Sequence, residues 1–185
     1  MAHDRILDKA RSALVVIDVQ EAFRDAIPDF ATVVNQISIA ARDFQTLGVP
    51  LLVTEQYPKG LGRTAEEILY ALPDGAQVFE KTAFSSCGAS PFVDRLTDLG
   101  VEQIVICGLE THICVSQTAH DLRDRGFQVH LLLDAVCSRF PVNKEAGIQK
   151  MRSSGVIMSS VEMALFELMR DAKHEKFKEI QALIK

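Results

Sequence analysis

The unbroken apolar run Ala13-Leu14-Val15-Val16-Ile17, cut off at once by Asp18-Val19-Gln20, constrains the fold more than any other stretch of this chain. A segment that short and that rich in valine and isoleucine is a strand, and its lack of polar alternation means that both faces are covered. Ile104-Val105-Ile106-Cys107, ended by Gly108, repeats the pattern. Strands at 13–18, 50–54, 77–80, 103–107 and 128–133, with a weak one at 156–158, alternate with helical patterns. The helices run from about Phe30 to Leu47, Thr64 to Leu72, Pro91 to Leu99, 112 to 125, Val142 to Ser153, 161 to 170 and 174 to 184. Gly48, Gly100 and Gly126 act as stop signals. This alternation predicts an α/β fold: three layers, α/β/α, around a mostly parallel, roughly six-stranded Rossmann-like sheet. At 185 residues, with no linker, repeat or low-complexity stretch, residues 1–185 read as a single domain.

In an open α/β sheet, ligands bind at the carboxyl edge, so the residues that follow the strands matter most. Asp18 follows the first strand, Lys81 the third, and the segment Gly108-Leu109-Glu110-Thr111-His112-Ile113-Cys114-Val115 the fourth. Thr111 can cap the next helix, which places Cys114 in its first turn. Unpaired N–H groups and the helix dipole favour negative charge there, so the expectation is a thiol with a lowered pKa. An acid, a cation and a thiol together supply a base, a charge partner and a nucleophile. Each also has a plain structural reading: a turn aspartate, a solvated lysine, a small buried hydrophobe. Their joint placement at strand ends favours chemistry.

Nucleotide binding is poorly supported. No Gly-x-Gly-x-x-Gly follows the first strand and no Gly-x-x-x-x-Gly-Lys-Ser/Thr loop occurs; Gly60-Leu61-Gly62 has the wrong spacing. No cofactor is therefore expected. The formal charge of −5, without a dense Lys/Arg block, argues against a nucleic-acid or anionic-membrane partner. No apolar run is long enough to span a bilayer, and Met1-Ala2-His3-Asp4-Arg5 lacks the apolar stretch of a secretory signal, so a cytoplasmic protein is expected. Cys87, Cys107, Cys114 and Cys137 form no Cys-x-x-Cys pair, so neither a disulfide framework nor a zinc ribbon is indicated. Cys107 reads as strand packing, Cys137 as semi-buried and inert, and Cys87 as a loop cysteine near Lys81.

Three motifs in order, Ile17-Asp18-Val19-Gln20, Glu80-Lys81-Thr82-Ala83-Phe84 and Gly108 to Val115, resemble those of the isochorismatase-like cysteine hydrolases. The spacing matches over nearly the whole chain. Thr54-Glu55-Gln56-Tyr57-Pro58-Lys59-Gly60-Leu61-Gly62 and the tail Phe177-Lys178-Glu179-Ile180-Gln181 resemble the isochorismatase-domain-containing subgroup. The resemblance implies that Cys114 attacks a carbonyl carbon, Asp18 serves as general base and then acid, and Lys81 is their electrostatic partner. It also implies a cis peptide between Leu109 and Glu110, with the backbone N–H groups of Glu110 and Cys114 forming an oxyanion hole.

Two departures narrow the chemistry. The nicotinamidase branch holds zinc through an Asp-x-His…His cluster after the second strand, where this chain reads Thr54 to Gly60 without a histidine. The five histidines show no zinc-ligand spacing, so no metal is expected. True isochorismatases cleave a vinyl ether without the cysteine; Cys114 favours an amide, imide or ureide. Gln20, Phe23, Glu55, Phe84 and His112 are the candidates for lining the small-molecule substrate. Alternatives stay open: core packing for the phenylalanines, a loop carboxylate paired with Lys59 or Arg63 for Glu55, a hydrogen-bonded histidine for His112. Asp134 reads as a capping residue. A silent scaffold or a redox-sensing thiol protein is the alternative to a hydrolase. Self-association is expected through the region Val161 to Lys185, where Met163, Leu165, Phe166, Leu168 and Met169 are more apolar than one helix face needs, unless Phe177, Ile180 and Leu183 fold back over it.

Overall fold

The computed structural model describes residues 3 and 5–183. Its six-stranded sheet has the order β3-β2-β1-β4-β5-β6. The strands are β1 (Ser12–Ile17), β2 (Leu51–Gln56), β3 (Val78–Lys81), β4 (Gln103–Leu109), β5 (Gln128–Cys137) and β6 (Ile157–Ser159), and every adjacent pair is parallel. The chain builds outward from β1 to β3, then crosses back to β4 and proceeds to β6. The order therefore reverses between β1 and β4, and a crevice is expected at their carboxyl ends.

Side-chain alternation along the central strands sorts the core into two layers. Leu14 and Val16 of β1 and Val105 and Cys107 of β4 pack on one face with α1 (Phe30–Thr46), α7 (Val161–Met169) and α8 (Phe177–Leu183). Ala13, Val15 and Ile17, with Ile104 and Ile106, pack on the other with α4 (Ser90–Leu99), α5 (Ser116–Asp124) and α6 (Pro141–Ser153). Helix α1 shows why it forms: Phe30, Val33, Val34, Ile37, Ala40, Ala41 and Phe44 recur at helical spacing and are all buried. The loop after β2 contains two short helices, α2 (Pro58–Leu61) and α3 (Glu66–Leu69).

Several boundaries differ from the sequence reading. β2 extends to Gln56, and Lys81 is the last residue of β3 rather than beyond it. β3 is an edge strand with Val78 and Glu80 exposed, so its apolar run is not covered on both sides. The helix expected over 64–72 shrinks to α3. Asp134 lies within β5, not at its end, yet it does cap: its carboxylate accepts the N–H of Val161 at the start of α7, 3.0 Å away. At the C-terminus, residue 184 of the expected last helix and Lys185 lie outside the described residues. Ile180 is buried, and Phe177 meets Phe166 edge-to-face at 6.0 Å, so α8 folds back onto α7. Leu165, Leu168 and Met169 are core, while Met163, Phe166 and Leu183 stay exposed.

Asp43, on α1, is fully buried, and neither of its carboxylate oxygens has a partner. Burial, aided by the charge of Glu179 and opposed by Arg42, pushes its pKa up to about 6 from 3.8. A carboxyl with a raised folded-state pKa binds its proton more tightly in the folded chain. Its penalty is absent below about pH 4 and grows to full size as pH rises through about 6. Asp43→Asn is therefore expected to stabilise the protein by about 1–3 kcal/mol at pH 8 and hardly at all at pH 4. Urea unfolding at the two pH values checks this; equal effects at both would mean that Asp43 ionises without cost in the folded protein.

Candidate active site

The site begins where β1 ends. Asp18 follows Ile17 with a left-handed backbone, φ 52°, and its N–H donates to the carbonyl of Thr54 within β2, 3.1 Å. On the other side Ile17 lies beside Gly108 of β4. A Cβ at Gly108 would sit 2.0 Å from the Ile17 carbonyl oxygen, and its φ is +121°, so this close approach of two backbones requires glycine. The Asp18 carboxylate is held at both oxygens. Thr54 Oγ1 donates to Oδ1 at 2.7 Å and Lys81 Nζ donates to Oδ2 at 2.6 Å.

Lys81 reaches this carboxylate from two strands away, past β2. Its ammonium also donates to Gln56 Oε1 (2.7 Å), the Phe84 carbonyl (2.8 Å) and the Ala83 carbonyl (3.2 Å). The Lys81 and Asp18 side chains are 0% and 1% exposed. A buried ion pair is tolerable only when the remaining donors and lone pairs are satisfied, and here the surrounding oxygens do that for the ammonium.

Cys114 arrives from β4. After Leu109 the peptide to Glu110 is cis, and residues Thr111–Val115 form a π-helical turn in which the Val115 N–H reaches the Glu110 carbonyl at 3.3 Å. Such wide turns recur at functional sites. The expected α-helix start at residue 112 is thus replaced by a π turn, with α5 beginning at Ser116. Thr111 does not cap: its hydroxyl is buried without a partner. The electrostatic expectation is corrected as well. Burial first, and the Asp18 charge second, push the Cys114 thiol up to about 12, with Lys81 opposing. Desolvation outweighs whatever a helix start contributes, so the resting group is a thiol that needs a base, not a free thiolate. The charges of Asp18 and Lys81 both act on this thiol, in opposite directions.

Behind this turn, α6 packs tightly. A Cβ at Gly147 would lie 2.9 Å from His112 Cα, so glycine lets the helix press on the segment that carries the cysteine. Glu110 is buried and accepts from the backbone N–H of Arg139 (2.9 Å) and from its Nε (3.1 Å), which ties the residue after the cis peptide to the end of β5.

The other sequence candidates fall in different places. Gln20 is fully buried; its amide donates to the carbonyls of Gln56 and Gly62 and accepts from the Gln56 N–H, so it braces the loop after β2. Glu55 accepts from the N–H and hydroxyl of Thr64, at 2.6 and 2.8 Å, in place of the pairing considered with Lys59 or Arg63. Phe23 packs against the α1-side core. Phe84 is 55% exposed, and its carbonyl accepts from Lys81. His112 is half-buried, with Nδ1 hydrogen-bonded to Ser138 Oγ at 3.0 Å. Cys87 and Cys107 are buried, and burial raises both thiols. Thr54 and Gln56, which touch Asp18 and Lys81, were not singled out from the sequence; their position at the end of the second strand was the available signal. Among the described residues no group of three or more His, Cys, Asp or Glu side chains is gathered as a metal site, and no helix is long and apolar enough to cross a membrane.

A parallel sheet in this order, layered with helices and carrying Cys114, Asp18 and Lys81 at its carboxyl edge, has the three-layer α/β/α architecture of the isochorismatase-like hydrolase fold. The chain belongs to the Isochorismatase domain family, which matches residues 12–163. It is 38% identical over 174 residues to isochorismatase domain-containing protein 2 of Danio rerio, covering 94% of this chain and 86% of that protein. It is also 38% identical over 179 residues, 97% of this chain, to isochorismatase domain-containing protein 1 of Danio rerio, of whose length it spans 62%. Among solved structures, the MAR1 ribonuclease from Caenorhabditis elegans is similar with a TM-score of 0.90 and 37% identity, covering 97% of this chain and 92% of that one.

Proposed function

We propose that this chain is a metal-independent cysteine hydrolase acting on a small amide-, imide- or ureide-like substrate through a thioester on Cys114. The observation that carries the reading is the buried Lys81–Asp18 pair beside a thiol that burial has pushed up to about 12. Such a thiol does not ionise alone at neutral pH, and a carboxylate held in place by an ammonium is the group positioned to take its proton. Asp18 accepts the Cys114 proton as Sγ bonds to the substrate carbonyl carbon. The oxyanion forms against the backbone N–H groups of Glu110 and Cys114. The C–N bond then breaks, and the leaving nitrogen takes the proton from Asp18. Water adds to the thioester carbonyl, the C–S bond breaks, and the acid product leaves with the thiol restored. Lys81 holds Oδ2 in place while Asp18 takes and returns the proton, and pairs with the carboxylate again when the proton has left.

Phe84, exposed at the site margin, supports an apolar wall for substrate, and His112 a polar one, whereas the bonding of Gln20 and Glu55 supports loop-holding roles. Residues 1–185 acting as one cytoplasmic domain, and self-association through exposed Met163, Phe166 and Leu183, belong to the same proposal. Although several similar structures are called ribonucleases, Lys81 is already engaged by four acceptors and the chain carries a net charge of −5, which favours a small amide over a polyanion.

A panel of small amides, imides and ureides assayed for ammonia or amine release tests the reading, with RNA included as a competing substrate. At least one panel member is expected to turn over, and Cys114→Ala is expected to cut that turnover by at least about a thousandfold. Cleavage of RNA alone, turnover that survives Cys114→Ala, or a peroxide-induced mass shift on Cys114 with no turnover would overturn it.

A further inference from the structure

Behind the carboxylate runs a line of buried hydroxyls that the reaction itself does not use. Thr118, on α5, donates to Ser86 Oγ at 3.2 Å and accepts from the Ser86 N–H at 2.9 Å. Ser86 Oγ faces Thr54 Oγ1 at 3.5 Å, the longest link, and Thr54 Oγ1 donates to Asp18 Oδ1 at 2.7 Å. All four side chains belong to residues with 0% exposure. They come from four separate elements: β2, the turn Ser86–Gly88 after β3, α5 and the end of β1.

The direction of the chain follows from chemistry. An ionised carboxylate only accepts, so Thr54 spends its one proton on Asp18. Its oxygen is then left to accept, which suits the Ser86 proton, and Ser86 in turn accepts from Thr118. Each link polarises the next toward the carboxylate, and no water competes at full burial. Thr54 binds Asp18 a second time through its carbonyl, which takes the Asp18 N–H at 3.1 Å. Thr118 sits one helical turn beyond Cys114 on the continuous segment that leads from the π turn into α5. The line of hydroxyls therefore joins the residue beside the thiol to the helix that follows the thiol.

We propose that Thr54 is the positioning residue for Asp18, and that Ser86 and Thr118 extend its hold to α5, so that the distance between carboxylate and thiol is set by this hydroxyl chain. This rests on the reading of Asp18 as the base for Cys114. Lys81 fixes Oδ2 and the charge; the hydroxyl chain fixes Oδ1 and the orientation of the carboxylate plane. Removing the Thr54 hydroxyl leaves the ion pair in place but frees the carboxylate to rotate about it.

The test needs no substrate: the second-order rate of Cys114 alkylation by iodoacetamide at pH 7, followed by mass spectrometry on the intact protein. Thr54→Val, nearly isosteric, is expected to slow labelling of Cys114 about tenfold, while Thr54→Ser, which keeps the hydroxyl, stays within about twofold of the parent. A purely packing role predicts the reverse, because serine removes the methyl and valine keeps the volume. Ser86→Ala and Thr118→Val are each expected to slow labelling about threefold, and they carry the test if Thr54→Val does not fold. Labelling at the parent rate in Thr54→Val, or in both of the outer variants, overturns the proposal. Asp18→Asn separates the two readings: labelling as fast as the parent in that variant means that Asp18 is not the base, whereas slow labelling there with fast labelling in Thr54→Val rejects the hydroxyl chain alone.

Discussion

Lys81→Met is expected to lower stability by about 3–5 kcal/mol, because it leaves the Asp18 carboxylate buried without its counter-charge. The methionine fills much of the lysine's volume, so the loss reports charge more than packing. The Asp18 side chain is 1% exposed and cannot turn to water without opening the β1–β2 edge. The double variant Asp18→Asn/Lys81→Met is expected to regain a large part of the loss, since no unpaired charge remains. Urea unfolding of the parent, the two single variants and the double variant gives the coupling directly. A Lys81→Met protein within about 1 kcal/mol of the parent would mean that the pair is hydrated and that the site is open. The same variant should also be inert to iodoacetamide at Cys114, since a carboxylate no longer anchored by Nζ loses its place beside the thiol.

Gly108→Ala is expected to cost about 3 kcal/mol or more, combining a strained positive-φ residue with an atom forced into a carbonyl oxygen. The clash is with the backbone of Ile17, its N, C and O, so no side chain can turn aside to relieve it. Gly126→Ala separates the two contributions. Gly126 also has a positive φ, +90°, but a Cβ there meets nothing within 4 Å, so only the strain of about 1–2 kcal/mol should remain. Equal losses at the two positions would show that β4 shifts away from β1 at little cost. A large excess at Gly108 would be accompanied by slow Cys114 labelling in whatever fraction folds, because Asp18 and the segment leading to Cys114 both spring from this contact.

Local chemistry made most of the fold legible. Unbroken apolar runs at β1 and β4 carry their own evidence of two-sided burial, and the helical spacing of Phe30 to Phe44 announces α1 and the face it buries. These are properties of neighbouring residues, so they survive in one dimension. Edge strand β3 was harder, since Val78 and Glu80 face solvent and the run of apolar residues is short. The C-terminal helix was ambiguous for another reason. Phe177 and Ile180 could cover α7 or leave it for a partner, and only packing shows that they fold back.

The candidate site divides along the same line. Asp18, Lys81 and Cys114 stand at or beyond strand ends, and a parallel sheet sends all strand ends to one edge, so the sequence determined that these three belong to one side of the molecule. What it could not determine was the state of the thiol. Placement near a helix start argued for a lowered pKa, but the turn is π-helical, Thr111 does not cap it, and burial with a neighbouring carboxylate pushes the group the other way. Desolvation depends on everything that surrounds an atom in space, and no local pattern encodes it. The joint role of Thr54, Ser86 and Thr118 was hidden for the same reason, although Thr54 stands in a strand-end motif: hydroxyls are common, and these three come from different elements far apart in the chain. Their meaning lies in full burial along one line to Oδ1, which exists only once β1, β2, the turn after β3 and α5 have packed.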